Sequence, residues 1–212
     1  MSCEVVVADI LLKNECLQLS PSKPFSYASG LKGPIYCDNR QLLSIPGPRA
    51  TIVKHLVEKV KKSGWKFDQL AGLATAGIPH CSFMAYDMNV PMIYIRGKAK
   101  GHGKQNQVEG KFKAGESVVL VEDLVNQGRS LEDAIEAALA VGLKPVGVIS
   151  IVTYEMAKSK EILDKYKLPI ICLTNFSTIT KLGLEQNIIS AEEHSMLNSW
   201  QSDPVAWSSS LA

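Results

Sequence analysis

Two stretches of this 212-residue chain gather side chains suited to a phosphorylated ligand. The first is Glu122-Asp123, followed by the turn Asn126-Gln127-Gly128-Arg129-Ser130 and directly preceded by the apolar, β-branched run 117–121. A loop that joins the carboxyl end of a buried strand to a helix amino terminus is a phosphate site, because unpaired backbone N–H groups converge there and the helix field favours an anion. Gly128 lets the backbone approach such a ligand closely. Carboxylates beside the turn can accept hydrogen bonds from sugar hydroxyls or hold a hydrated magnesium ion that bridges phosphates. Strand geometry would send adjacent side chains to opposite faces, so the expectation is that the strand end bends into the turn to place both acids. The plain alternative is that the two acids merely solvate the strand end.

The second stretch is 96–110, which carries Arg96, Lys98, Lys100, His102 and Lys104, three glycines before Val108 and almost nothing to bury. A loop this long with its own positive charge reads as a mobile lid over a polyphosphate. The competing reading is a solvated connection between two strands.

The surrounding pattern must position these stretches. Val118 to Val121 are continuously apolar, as in a parallel strand covered on both faces. A helix follows, with Leu131, Ile135, Ala138 and Leu139 on its inner side, Ser130 as its expected N-cap and Gly142 as its stop. Short apolar runs at 67–73, 91–95, 146–152 and 170–173 alternate with helical patterns at 48–63, 78–88 and 155–167, the rhythm of an α/β protein with a mainly parallel sheet. Ser190 with Glu192 and Glu193 starts a terminal helix to about residue 200. A helix is expected over about 4–19, and the Pro- and Gly-broken segment 20–47 reads as a hood of short extended pieces. One domain spanning 1–212 is expected, with helix plus hood at 1–47 and the lid at 96–110.

A net charge of +2 makes no bulk electrostatic case for nucleic acid. Five cysteines without CxxC spacing suggest free thiols in a reducing compartment. No stretch reads as a secretory signal or a membrane span, so cytoplasmic residence is expected.

With these pieces in order, the chain resembles the orotate phosphoribosyltransferases of the type I phosphoribosyltransferase family, in a bacterial subgroup. The resemblance rests on 25–30, on Pro34-Ile35-Tyr36-Cys37-Asp38-Asn39-Arg40, on 72–79, on the 96–110 loop with Arg96, Lys100, His102 and Glu109-Gly110, on 118–130, and on 173–176 with the tail to Trp207. It implies Mg2+-dependent, reversible condensation of orotate with 5-phosphoribosyl 1-pyrophosphate (PRPP), giving orotidine 5'-monophosphate (OMP) and pyrophosphate. It also implies a homodimer in which each lid covers the partner's site. Lys100 and Arg96 would hold the leaving pyrophosphate, and His102 would support or protonate its oxygens. Glu122 and Asp123 would meet the ribose hydroxyls, Asp123 also the metal. Residues 126–130 would cradle the 5'-phosphate, and Thr75-Ala76-Gly77 would form the pyrophosphate loop. Tyr36 and Tyr154 are each either base-pocket residues or ordinary packing aromatics.

Several positions depart from the family pattern. Gly97, Ala76 and Ala28 stand where lysines are usual, and Tyr154 where a base-contacting arginine is usual. Gly33 replaces a serine, Gln127 a threonine and Arg129 a glycine. Lys32, Arg40 and Lys98 are candidate substitute cations. Activity with altered donor affinity is expected. The alternatives are transfer to another base, or a regulatory protein that binds PRPP without turnover.

Overall fold

The computed structural model describes residues 1–27, 29–97 and 107–211. Helix α1 (Cys3–Lys13) is followed by strand β1 (Leu17–Leu19), which pairs antiparallel with β4 (Ile35–Cys37). Between them β2 (Phe25–Ser26) pairs with β3 (Lys32–Gly33). The helix expected over 4–19 therefore stops early. Beyond Lys13 the spacing of Leu17 and Leu19 is two, and both residues sit opposite β4.

A 3-10 turn, Asn39–Ser44, leads into α2 (Pro46–Ser63), which ends on Gly64 in the left-handed region at φ 74°. The main sheet then accumulates as β5 (Gln69–Leu73), α3 (Gly77–Met88), β6 (Met92–Ile95), β7 (Val108–Glu109), β8 (Ser117–Val125), α4 (Arg129–Ala140), β9 (Lys144–Thr153), α5 (Ala157–Tyr166) and β10 (Ile170–Asn175). Three helices close the chain: α6 (Phe176–Glu185), α7 (Ala191–Ser202) and α8 (Pro204–Ser209). Sheet order is β10-β9-β8-β5-β6-β7, parallel throughout except for the β6–β7 hairpin.

The continuous apolar run of β8 is explained by burial on both sides. Val119 and Val121 pack with Leu56, Met84, Ile149 and Phe176 on one face, while Val118 and Leu120 pack with Ile135, Ala138 and Val148 on the other. Two apolar layers thus hold the central strands β5 and β8, and both strands end at the same edge of the sheet. Among the described residues no helix is long and apolar enough to cross a membrane.

Candidate active site

The site forms where β8 outruns its neighbour. Pairing of β8 with β5 ends at Val121↔Gly72, whereas pairing with β9 continues to Val125↔Thr153. Glu122 and Asp123 therefore lie within the strand, and the expected bend into a turn is not made. The strand stays regular because β9 supports it, while its other edge is released for side chains.

Glu122 is 9% exposed and lines a cavity of about 210 Å³ together with Asn126, Gln127, Gly128, Arg129 and Ser130. Its Oε1 accepts a hydrogen bond from the Asp123 backbone N–H at 2.8 Å. Burial, and then the hydrogen-bonded Asp123 carboxyl beside it, push the Glu122 carboxyl well above its ordinary value. The charged form of Glu122 is disfavoured there, because burial strips its solvation and a second carboxyl lies beside it.

The turn behind the acids opens directly into the start of a helix. Gly128 is the N-cap of α4, at φ 85°, and a Cβ there would press on Ile162 and Ser159. Ser130, expected as the N-cap, sits one residue inside the helix, because glycine alone reaches the left-handed conformation at 128 without strain. Helix α4 has no side-chain cap, so its first-turn N–H groups remain for a ligand. Arg129 is exposed at the first helical position and also lines the cavity.

The segment Thr75-Ala76-Gly77 joins β5 to α3 at the same sheet edge, with a cis peptide between Ala74 and Thr75. Gly77 belongs to the helix, and Ala76 is its N-cap without a side-chain hydrogen bond. A Cβ at Gly77 would overlap the Val121 carbonyl oxygen and lie 3.3 Å from the Glu122 Cα, so the start of α3 is seated directly on the acidic pair. A third segment arrives from the amino-terminal side. Buried Asn39 donates from Nδ2 to the Asp123 carbonyl oxygen at 3.0 Å.

Tyr36 is 43% exposed and leans on Phe25, with ring centroids 5.5 Å apart at 36°. Tyr154 is 3% exposed in an aromatic cluster, edge-on to Phe176 at 6.2 Å and to Trp200 at 5.8 Å. Of the two readings for Tyr154, the structure adopts packing. Its ring already fills the space beneath α6 and α7, and it presents no open face to a base.

Arg96 begins the long loop. Its N–H donates to the Gln107 carbonyl at 2.9 Å, Gln107 returns a bond to the Arg96 carbonyl at 3.0 Å, and the guanidinium lies 3.6 Å from Glu109. The loop's two ends are thus zipped together at the β6–β7 hairpin. Lys98, Lys100 and His102 lie outside the described residues.

Two residues of this region were missed in the sequence. One is Asn39, whose neighbour Asp38 is an obvious turn residue but whose long-range bond has no local signal. The other is His80, 1% exposed on α3 with neither ring nitrogen partnered. Burial lowers its pKa, against a smaller upward pull from Asp123. A histidine on the apolar face shared with Cys81 and Met84 was the available hint.

A doubly covered parallel sheet thus gathers two uncapped helix starts, buried Glu122 and half-buried Asp123 at one edge, the α/β arrangement of a site for an anionic ligand. The Phosphoribosyl transferase domain model matches residues 40–187. The chain is 42% identical over 207 residues to orotate phosphoribosyltransferase of Listeria monocytogenes, covering 98% of this chain and 99% of the relative. It is likewise 42% identical over 201 residues to the Enterococcus faecalis protein of that description, covering 95% and 96%. Among solved structures, UMP synthase of Leishmania donovani superposes with a TM-score of 0.78 at 28% identity, over 93% of this chain and 42% of that one. Orotate phosphoribosyltransferase from Aeropyrum pernix gives 0.73 at 26%, over 85% and 97%. The chain belongs to the phosphoribosyltransferase family, in the bacterial orotate phosphoribosyltransferase group.

The departures at 127 and 129 carry a direct test. Replacing Arg129 with glycine is expected to raise the apparent KM for PRPP about five-fold with kcat nearly unchanged, the loss of one charge-assisted phosphate contact. Gln127→Thr is expected to alter the same constant. Steady-state kinetics in which neither variant moves donor affinity or turnover would remove both side chains from phosphate handling.

Proposed function

We propose that this chain catalyses the reversible transfer of the phosphoribosyl group from PRPP to orotate, giving OMP and pyrophosphate. The observation that carries the reading is the Glu122-Asp123 pair on β8, set between the uncapped starts of α3 and α4. Family membership supplies the reaction class.

The roles follow from the chemistry of each place. Backbone N–H groups of 126–130 bind the 5'-phosphate, and Glu122 and Asp123 accept hydrogen bonds from the ribose hydroxyls. Thr75-Ala76-Gly77 offers the α3 start to pyrophosphate. Arg96 and Lys100 hold the departing pyrophosphate and His102 protonates or supports its oxygens, with Lys98 as a further cation of the lid. Tyr36 stacks on the pyrimidine. Charge that develops on the leaving group and on an oxocarbenium-like ribose is stabilised by these fixed partners, and closure of the 96–110 lid excludes water.

Mg2+ fits the same acids. It favours one or two carboxylates together with substrate phosphates, and Asp123, with Glu122 beside it, supplies that hard-oxygen set. Burial first, and the Asp123 carboxyl after it, push Glu122 up, and a nearby cation would offset that push. The ion would neutralise pyrophosphate oxygens. We further propose one domain with a hood at 1–47, a cytoplasmic location, and a homodimer in which each lid closes over the partner's site.

The deciding experiment incubates purified protein with Mg2+, PRPP and orotate, following orotate absorbance and pyrophosphate release. Turnover of orotate is expected. Turnover of another base but not of orotate would sink the acceptor assignment, and turnover of neither would leave PRPP binding alone. For the shared lid, a mixture of Lys100→Ala and Asp123→Asn proteins is expected to regain part of the activity that each lacks by itself. A mixture as inactive as its components argues against sharing.

A further inference from the structure

We infer that Arg40 is the specificity-determining residue that receives the carboxylate of orotate. This rests on orotate being the acceptor. That substrate differs from uracil by one anionic group, so a site that selects it needs a donor beside the ring, and Tyr154, which stands at the usual arginine position, is buried in packing.

Arg40 is placed by its neighbours on both sides. Asn39 is pinned to the Asp123 carbonyl at 3.0 Å, which holds the 3-10 turn against the carboxyl end of β8. Four residues earlier, Tyr36 presents its ring from β4. Asp38 is itself anchored, its N–H donating to the Cys16 carbonyl at 2.7 Å. Its carboxylate then fixes the guanidinium from one side: Oδ1 accepts from Arg40 Nε at 2.6 Å and Oδ2 from Nη2 at 3.0 Å.

That clamp engages two of the five guanidinium N–H donors. The edge formed by Nη1 and the second hydrogen of Nη2 remains for another carboxylate in the fork geometry that arginine provides. Arg40 keeps a 60% exposed side chain, and Asp38 is its only ion-pair partner among the described residues. The Asp38 hydrogen bond raises its pKa, with smaller upward contributions from Tyr36 and Asp123. Of the other candidate cations, Lys32 sits on β3, opposite Ser26, and Lys98 lies outside the described residues.

The test compares OMP with UMP, which lacks only the carboxylate, by calorimetric titration of wild type and Arg40→Ala. Wild type is expected to bind OMP more tightly. In Arg40→Ala the OMP affinity should fall about ten-fold, the size of one charge-assisted hydrogen-bonded contact, while UMP affinity stays within about two-fold. Equal loss for both ligands, or unchanged discrimination, overturns the assignment of Arg40. Should Arg40→Ala fail to fold, Arg40→Lys, which keeps the charge without the fork, is expected to lose about three-fold for OMP alone. A wild type that turns over no orotate and binds OMP no better than UMP removes the acceptor reading itself, and the Arg40 assignment with it.

Discussion

Glu122→Gln is expected to lower kcat/KM about 100-fold, since a buried charged acceptor for a ribose hydroxyl is lost, and yet to make the unliganded protein more stable at pH 8. The two effects have one origin. Burial and the Asp123 carboxyl hold the Glu122 pKa above its ordinary value of 4.5 in the folded state. A carboxyl whose folded pKa is raised favours the fold most fully at low pH, below the unfolded pKa. As pH climbs from there to the folded value the unfolded chain ionises first, and stability is lost. Glutamine keeps the Oε1 that accepts from the Asp123 N–H and adds an amide that can donate to the Asp123 carboxyl, in the manner of the protonated glutamic acid. Thermal melts of both proteins between pH 5 and pH 8 should therefore diverge as pH rises, with the variant higher. Parallel curves would show that the buried proton is not the source of the strain.

The second large effect is expected at a residue with no side chain. Gly77→Ala places a methyl group into the Val121 carbonyl oxygen, beside the Glu122 Cα. Gly77 has no positive φ, so the penalty is overpacking alone, about 1–3 kcal/mol of stability. Because the obstructing atoms are backbone of β8, relief requires α3 and the 74–76 loop to shift away from the acidic pair. Such a displacement of about 1 Å is expected to lower kcat/KM for PRPP by on the order of 100-fold. Gly47→Ala is the control: its Cβ meets nothing within 4 Å, and alanine in α2 should stabilise by up to about 1 kcal/mol. Urea unfolding and donor kinetics on the pair decide the matter. A Gly77→Ala enzyme with wild-type donor KM and turnover would show that the seating of α3 on β8 is not what shapes the site.

Much of the sheet could be read locally, for physical reasons visible in particular residues. The strands β5, β6, β8, β9 and β10 were legible as short apolar runs, and most clearly β8, because a strand buried on both faces must be apolar throughout, as Val118 to Val121 are. The helix over 176–185 was not. Phe176–Glu185 is rich in threonine and contains Gly183, and its helix is held by the Asn175 cap, which accepts from the Thr178 N–H at 2.8 Å, and by burial of Phe176, Ile179 and Leu182. Helix α1 was read too long, because the hydrophobicity of Leu17 and Leu19 does not announce that the partner is a strand 16 or more residues away.

The sequence by itself determined that the chain carries an acidic pair at the end of an apolar strand, beside a glycine turn that leads into a helix. Those are short-range facts of residue type, periodicity and the φ freedom of Gly128. Tertiary structure alone decided the rest: that β8 runs on past β5 so that Glu122 and Asp123 remain in a strand, that Gly77 abuts Val121, that Asn39 and with it Arg40 come to the same edge, and that Tyr154 turns into the core. Each depends on two segments meeting across tens of residues, 84 between Asn39 and Asp123. Packing and backbone hydrogen bonds select such meetings from many that local pattern permits.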